Sequence, residues 1–135
     1  MSKSRCPWYI GFFLASPIRR LLNNPEKIVG DYLKSGMTAL DIGTGMGFFS
    51  LPMAECVGEN GRVIAVDVQK EMLHQLKKRA ARRGLSEVVI PHLCGESSLD
   101  IEQYSETIDF ALMFAVVHEL PNQSQAFREV HTTLK

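Results

Sequence analysis

The chain has 135 residues, 45% of them hydrophobic, 22% charged and 8% aromatic, a balance that excludes a disordered tail, a collagen and a coiled coil and leaves a compact fold. Fifteen Lys/Arg and fifteen Asp/Glu cancel to a formal charge of zero, so no global field draws the protein to nucleic acid or a membrane. The spread is uneven, with six basic and two acidic residues in 1–34 against two and eight in 86–135, and the basic end reads either as solvated surface or as a patch for an anionic partner.

Residues 1–24 open with Lys3 and Arg5 ahead of the longest apolar run, Trp8 to Ala15, which is eight residues against the roughly 20 that a membrane helix needs. Ser16-Pro17-Ile18, followed by two arginines, lacks the small-residue cleavage pattern of a signal peptide, so this end reads as a mature amphipathic segment. Asn24 before Pro25 predicts a helix from about Pro25 to Lys34, with Ile28, Val29, Tyr32 and Leu33 at helical spacing and Ser35-Gly36 as its stop.

Thr38 to Ile42 is a short apolar run entering three alternating glycines, the pattern of a buried parallel strand ending in a tight turn. A helix over Phe48 to Val57 follows, then a turn at Gly58–Gly61 and a β-branched strand, Arg62 to Asp67, that ends in a carboxylate. The next helix carries Met72, Leu73, Leu76 and Ala80 on one face and six basic residues between Lys70 and Arg83, and Gly84 stops it. Glu87 to Leu93 is expected as a third strand and Thr107 to Val117 as a fourth, with Asn122 capping a last helix through Phe127, Val130 and Leu134. Strands alternating with helices imply a parallel sheet covered on both faces, with right-handed crossovers.

Gly43, Gly45 and Gly47 stand where ligands sit in open α/β sheets, at the carboxyl end of the first strand, and they let backbone approach a ligand closely. By itself such a triplet also serves to pack a helix on a strand. The dinucleotide fingerprint GxGxxG would need glycine at Phe48, which weakens a pyrophosphate cradle and disfavours a nicotinamide oxidoreductase. Asp67 ends the second strand 20 residues after Gly47, the right place for a carboxylate to accept hydrogen bonds from two ribose hydroxyls. The three cysteines, Cys6, Cys56 and Cys94, show neither CxxC nor Cys/His metal spacing, so no disulfide framework and no metal are expected and a reducing cytoplasm fits.

LDIGTGMG (40–47), VIAVDV (63–68), CGES (94–97) and DFALMFAVVHEL (109–120) resemble, in that order, the motifs of class I S-adenosylmethionine-dependent methyltransferases, over roughly residues 28–135. The resemblance implies an α/β fold: a Rossmann-like, doubly wound parallel sheet in three α/β/α layers, abbreviated to about four strands in the order 3-2-1-4. It implies one domain, with residues 1–34 a lid and helix and 35–135 the core. By the resemblance Asp41 and the loop Gly43, Thr44, Gly45 and Gly47 hold the methionine end of S-adenosylmethionine, Asp67 takes the ribose hydroxyls, and Val68 lies against adenine. Glu96 with Ser97 stands where relatives contact the adenine amino group, either through Glu96 or through a nearby backbone N–H; Glu96 as a plain solvated carboxylate is the alternative.

Phe114 to Leu120 would pass beside the transferring methyl group, with Phe114 on the cofactor side. The segment is not the Asn/Asp-Pro-Pro-aromatic tetrapeptide of enzymes that methylate exocyclic or amide nitrogens, and it resembles the small-molecule branch that includes ubiquinone/menaquinone methyltransferases. The expected activity is therefore in-line methyl transfer to a small molecule, giving S-adenosylhomocysteine. His118 is the candidate catalytic base, with Glu119 either orienting it or facing water; alternatively His118 only fixes its loop. Tyr9, Phe12 and Phe13 are expected either to wall an acceptor pocket as part of a lid or to form an interface or core-packing cluster. The sheet of the family has seven strands, so an exposed fourth-strand edge covered by a second copy in a homodimer is expected. A non-catalytic cofactor-binding or assembly module, or a fragment of a longer methyltransferase, is the competing reading.

Overall fold

The computed structural model describes residues 24–113 and 123–135 of the chain. The Asn24 side chain accepts the Lys27 N–H at 3.3 Å, and Pro25, which has no N–H to satisfy, opens helix α1 (Pro25–Gly30). The helix ends four residues short of the expected Lys34. Tyr32 donates to the Val29 carbonyl three residues back, tightening the chain after Gly30 into a turn that still buries Leu33 but turns Tyr32 outward. Tyr32 stacks on the Phe110 ring, centroids 5.6 Å apart.

Four parallel strands follow: β1 (Thr38–Ile42), β2 (Arg62–Asp67), β3 (Val89–Leu93) and β4 (Phe110–Leu112). Their order is β3-β2-β1-β4, with Leu40 opposite Ile64 on one side and Ala111 on the other. Side chains alternate across the sheet. Ala39, Val63, Ala65 and Val89 pack beneath α1, α2 (Ser50–Val57) and α3 (Lys70–Arg82) through Val29, Leu51, Met53, Leu73 and Leu76. Leu40, Ile42, Ile64 and Val66 face the opposite layer, where Ala126 and Val130 of α4 (Gln123–Thr133) pack with Leu99, Ile101 and Ile108. The three-layer α/β/α arrangement and the strand order are those expected. None of the described helices is long and apolar enough to cross a membrane.

Three further element boundaries differ from the sequence reading, each for a local reason. Phe48 and Phe49 belong to the turn before α2, because the glycine loop runs on through the Gly47 N–H to Thr44 carbonyl bond. Residues 87 and 88 close the turn after α3, where Val88 and Val89 both donate to the Leu85 carbonyl, so β3 starts at Val89. Thr107 to Asp109 do not extend β4. Ile108 instead bridges the chain end, donating to the Thr133 carbonyl and accepting from Lys135 N–H, while Asp109 clamps the start of β1 by accepting the Thr38 N–H on Oδ2 at 2.9 Å. The expected continuation of β4 through 114–117 lies outside the described residues.

Candidate functional site

The loop after β1 folds back over the carboxyl end of β2. Gly43 and Thr44 both donate their N–H to the Val66 carbonyl, at 2.8 and 3.0 Å, and the path needs left-handed backbone at Gly45 (φ +57°) and Gly47 (φ +96°). Gly45 then donates its N–H to Asp67 Oδ2 at 2.9 Å, and Asp67 Oδ1 accepts the Gln69 N–H at 2.8 Å. The carboxylate offers about four acceptor sites, more than the surrounding N–H groups occupy, so it is fixed in place yet still able to accept from a ligand. Burial pushes its pKa up, against the pull of the Gln69, Gly45 and Val68 N–H groups.

Asp41 shares the pleat face of Ala39 and points toward α2. It is 3% exposed, an unusual place for a carboxylate, and the hydroxyls explain how it is held. Ser50, at the first turn of α2, donates its hydroxyl to Asp41 Oδ2 at 2.7 Å, and Thr44 Oγ1 lies 2.6 Å from Ser50 Oγ. Burial still pushes Asp41 up to about 7; the Ser50 and Thr44 hydroxyls pull it down, and the Asp67 charge adds a smaller upward push. Ser50 was not among the residues singled out from the sequence. Its signal was available: a hydroxyl at the first helical position after a glycine loop that follows a strand-end carboxylate.

The glycines of the triplet do different work. A Cβ built on Gly45 meets nothing within 4 Å among the described residues, so this position borders open space beside Asp67. A Cβ on Gly47 would stand 2.5 Å from Leu76 Cδ1 and 3.1 Å from Leu51 Cγ, so Gly47 is what lets α2 and α3 approach each other under the sheet. Packing therefore accounts for Gly47, where it is helix against helix rather than helix against strand, and does not account for Gly45.

The third strand end joins the same region, since Cys94 donates its N–H to the Asp67 carbonyl at 3.0 Å. Beyond it Glu96 and Ser97 sit exposed in a loop closed by the Gly95 N–H to Asp100 Oδ2 bond, and Val68 packs half-buried against the layer of α4. Cys94 is itself buried, with its thiol pushed up to about 12 chiefly by desolvation. His92 contacts the Leu99 carbonyl through Nε2 at 3.2 Å and the edge of Tyr104, a structural placement. Phe114, His118 and Glu119, and Tyr9, Phe12 and Phe13, lie outside the described residues.

The methyltransferase-domain family model matches residues 33–135. Among solved structures, a SAM-dependent methyltransferase from Aquifex aeolicus superposes with a TM-score of 0.87 at 32% identity, covering 97% of this chain and 69% of that one. A 23S rRNA (uracil(1939)-C(5))-methyltransferase of Acinetobacter baylyi is 42% identical over 64 residues, 46% of this chain and 14% of that protein. A demethylmenaquinone methyltransferase of Oceanobacillus iheyensis is 24% identical over 103 residues, 76% of this chain and 42% of that protein. The chain therefore spans less than half the length of these two relatives. With the family model matching residues 33–135 and the Aquifex aeolicus structure sharing the fold at 32% identity, the chain belongs to the methyltransferase-domain family of class I S-adenosylmethionine-dependent methyltransferases, and S-adenosylmethionine is its cofactor.

Proposed function

We propose that this chain binds S-adenosylmethionine at the β1/β2 strand ends and directs its methyl group to a small-molecule acceptor by in-line displacement. The observation that carries the reading is the Asp67 carboxylate, held by Gly45 and Gln69 N–H groups with lone pairs to spare beside open space at Gly45. The residues suit the cofactor on chemical grounds. A vicinal diol needs acceptors, which Asp67 offers; a cationic methionine end needs carboxylate charge, which Asp41 supplies; and close backbone approach needs Gly43 and Gly45. In this reading Thr44 contributes to the methionine side, Val68 lies against adenine, Glu96 or a nearby N–H with Ser97 reads the base, and Phe114 completes the cofactor side. Gly47 serves the loop indirectly, by setting how closely α2 and α3 pack.

The bound sulfonium supplies an electrophilic methyl whose departure neutralises a charge. What the chain must add is alignment, and fixing the reactants in line contributes on the order of 7–11 kcal/mol as effective molarity. His118, as a base near neutrality, would add about 10²- to 10⁴-fold by taking the acceptor's proton. His118→Ala should then leave cofactor affinity unchanged and lower turnover by that factor; a loss of affinity instead would make it a structural residue.

The small-molecule acceptor is supported by the zero net charge and by the demethylmenaquinone methyltransferase, which matches this chain over a longer stretch than the rRNA methyltransferase does. The test is transfer of a labelled methyl group from S-adenosylmethionine, offered in parallel to small hydroxylated aromatics, including a demethylated naphthoquinol, and to ribosomal RNA. Label on a small molecule supports the reading, and label on RNA alone overturns it. We further propose a homodimer that pairs the edge of β4, the outermost of the described strands, in a reducing cytoplasm that keeps Cys56 and Cys94 as free thiols. Light scattering that gives a monomer at high concentration would contradict the dimer.

A further inference from the structure

Residues 95–100 form a small closed loop with two internal ties. Gly95 donates its N–H to Asp100 Oδ2 at 3.1 Å, and Asp100, at a left-handed φ of +55° that aspartate tolerates better than most side chains, donates its own to Ser98 Oγ at 3.1 Å. The loop is fastened to α4 by one carboxylate. Glu129 accepts the Ser98 hydroxyl on Oε1 at 2.6 Å and the Leu99 N–H on Oε2 at 3.0 Å, and one turn earlier Gln125 donates Nε2 to the Ser97 carbonyl at 2.9 Å and reaches Glu129 Oε1 at 3.4 Å. Leu99 drives the same attachment by burying its side chain between Ala126 and Val130. Helix and loop are some 30 residues apart in sequence, so the ties are tertiary and specific to this packing.

We propose that Glu129, seconded by Gln125, is a positioning residue for the cofactor: it clamps the loop 95–100 so that Glu96 and Ser97 are presented to the adenine base in one fixed geometry. The inference rests on the reading of that loop as the adenine side of the site. A charged acceptor that takes both a hydroxyl and an N–H makes two strong bonds at once, and together with the Gln125 bond to the Ser97 carbonyl these join the loop to α4. Glu129 touches neither cofactor nor substrate. Its effect is expected in how well the site distinguishes the adenine edge.

The readout is calorimetric affinity for S-adenosylhomocysteine compared with S-inosylhomocysteine, which carries an oxygen in place of the adenine amino group. The wild-type chain should prefer the adenosyl ligand by about tenfold or more, one hydrogen bond's worth of discrimination. Glu129→Ala should bring that ratio close to one while the chain still unfolds cooperatively, and Glu129→Gln should keep part of it, since its single oxygen still accepts one of the two bonds. Ser98→Ala, which cuts the same tie from the loop side, should also lower the ratio and guards against a Glu129→Ala chain that does not fold. Asp67→Ala should abolish binding of both ligands alike. A ratio unchanged in Glu129→Ala and Ser98→Ala, or no preference in the wild-type chain, overturns this inference and leaves the site standing. Binding of neither ligand overturns both.

Discussion

Asp67 Oδ2 and the Gly45 N–H, 22 residues apart in sequence, meet at 2.9 Å and lock the carboxyl end of β2 to the loop that leaves β1. The bond places a half-buried carboxylate beside a position where a side chain would have nothing to touch. A site fixed in this way binds without first paying to order its loop.

The two glycines of the loop should separate binding from stability. Gly45→Ala puts a methyl group into open space at φ +57°, so the chain should fold with a loss of about 1 kcal/mol while S-adenosylhomocysteine affinity drops at least tenfold. Gly47→Ala drives a Cβ against Leu76 and Leu51 at φ +96° and should cost about 2–4 kcal/mol in urea unfolding, from strain and overpacking together. Equal stability losses at the two positions would mean that the triplet is purely structural.

Asp41 should give stability and ligand binding opposite pH trends. Its pKa is raised from 3.8 to about 7, so between those values the folded chain holds a proton that the unfolded chain has released. That contribution to stability is complete below about pH 4 and is lost as pH rises through 7. Asp41→Asn can still accept from Ser50 and should remove this slope, leaving the variant more stable than wild type at pH 8 by on the order of a few kcal/mol. A cationic methionine end prefers the ionised carboxylate, so S-adenosylmethionine affinity should instead weaken as pH falls below 7, and the variant should lose that dependence. Ser50→Ala, which removes the donor, should move both transitions to higher pH. Parallel stability profiles for wild type and Asp41→Asn would contradict the assignment.

Cys94 should behave as an inert buried thiol. With its pKa pushed up to about 12 and its side chain in the sheet-to-α4 core, it should react with iodoacetamide at pH 8 only at the rate at which the chain opens. Denaturant should accelerate its labelling by orders of magnitude, and rapid labelling of the folded chain would show the β3 end to be open.

Much of this architecture was written in local patterns. The β-branched runs at 38–42 and 62–67, their terminal carboxylates and the glycines between them are short-range signals, and the strand order followed once the family motifs were recognised. What escaped depends on contacts distant in sequence. Thr107 to Asp109 look like strand, yet Ile108 bonds to residues 133–135 and Asp109 to Thr38; Ser50 gains its meaning only when α2 brings it to Asp41; and the Glu129 tie to Ser98 spans 31 residues. The division of labour between Gly45 and Gly47 was equally hidden, because spacing does not say which glycine faces a helix and which faces open space.

The most direct test is calorimetric titration of the chain with S-adenosylmethionine, S-adenosylhomocysteine and NAD, repeated on Asp67→Ala with its folding checked by circular dichroism. Micromolar binding of both adenosyl ligands, none of NAD, and loss of the adenosyl binding in a folded Asp67→Ala is the result this site predicts. Adenosyl affinity that survives the substitution, or a folded wild-type chain that binds neither adenosyl ligand, would contradict it.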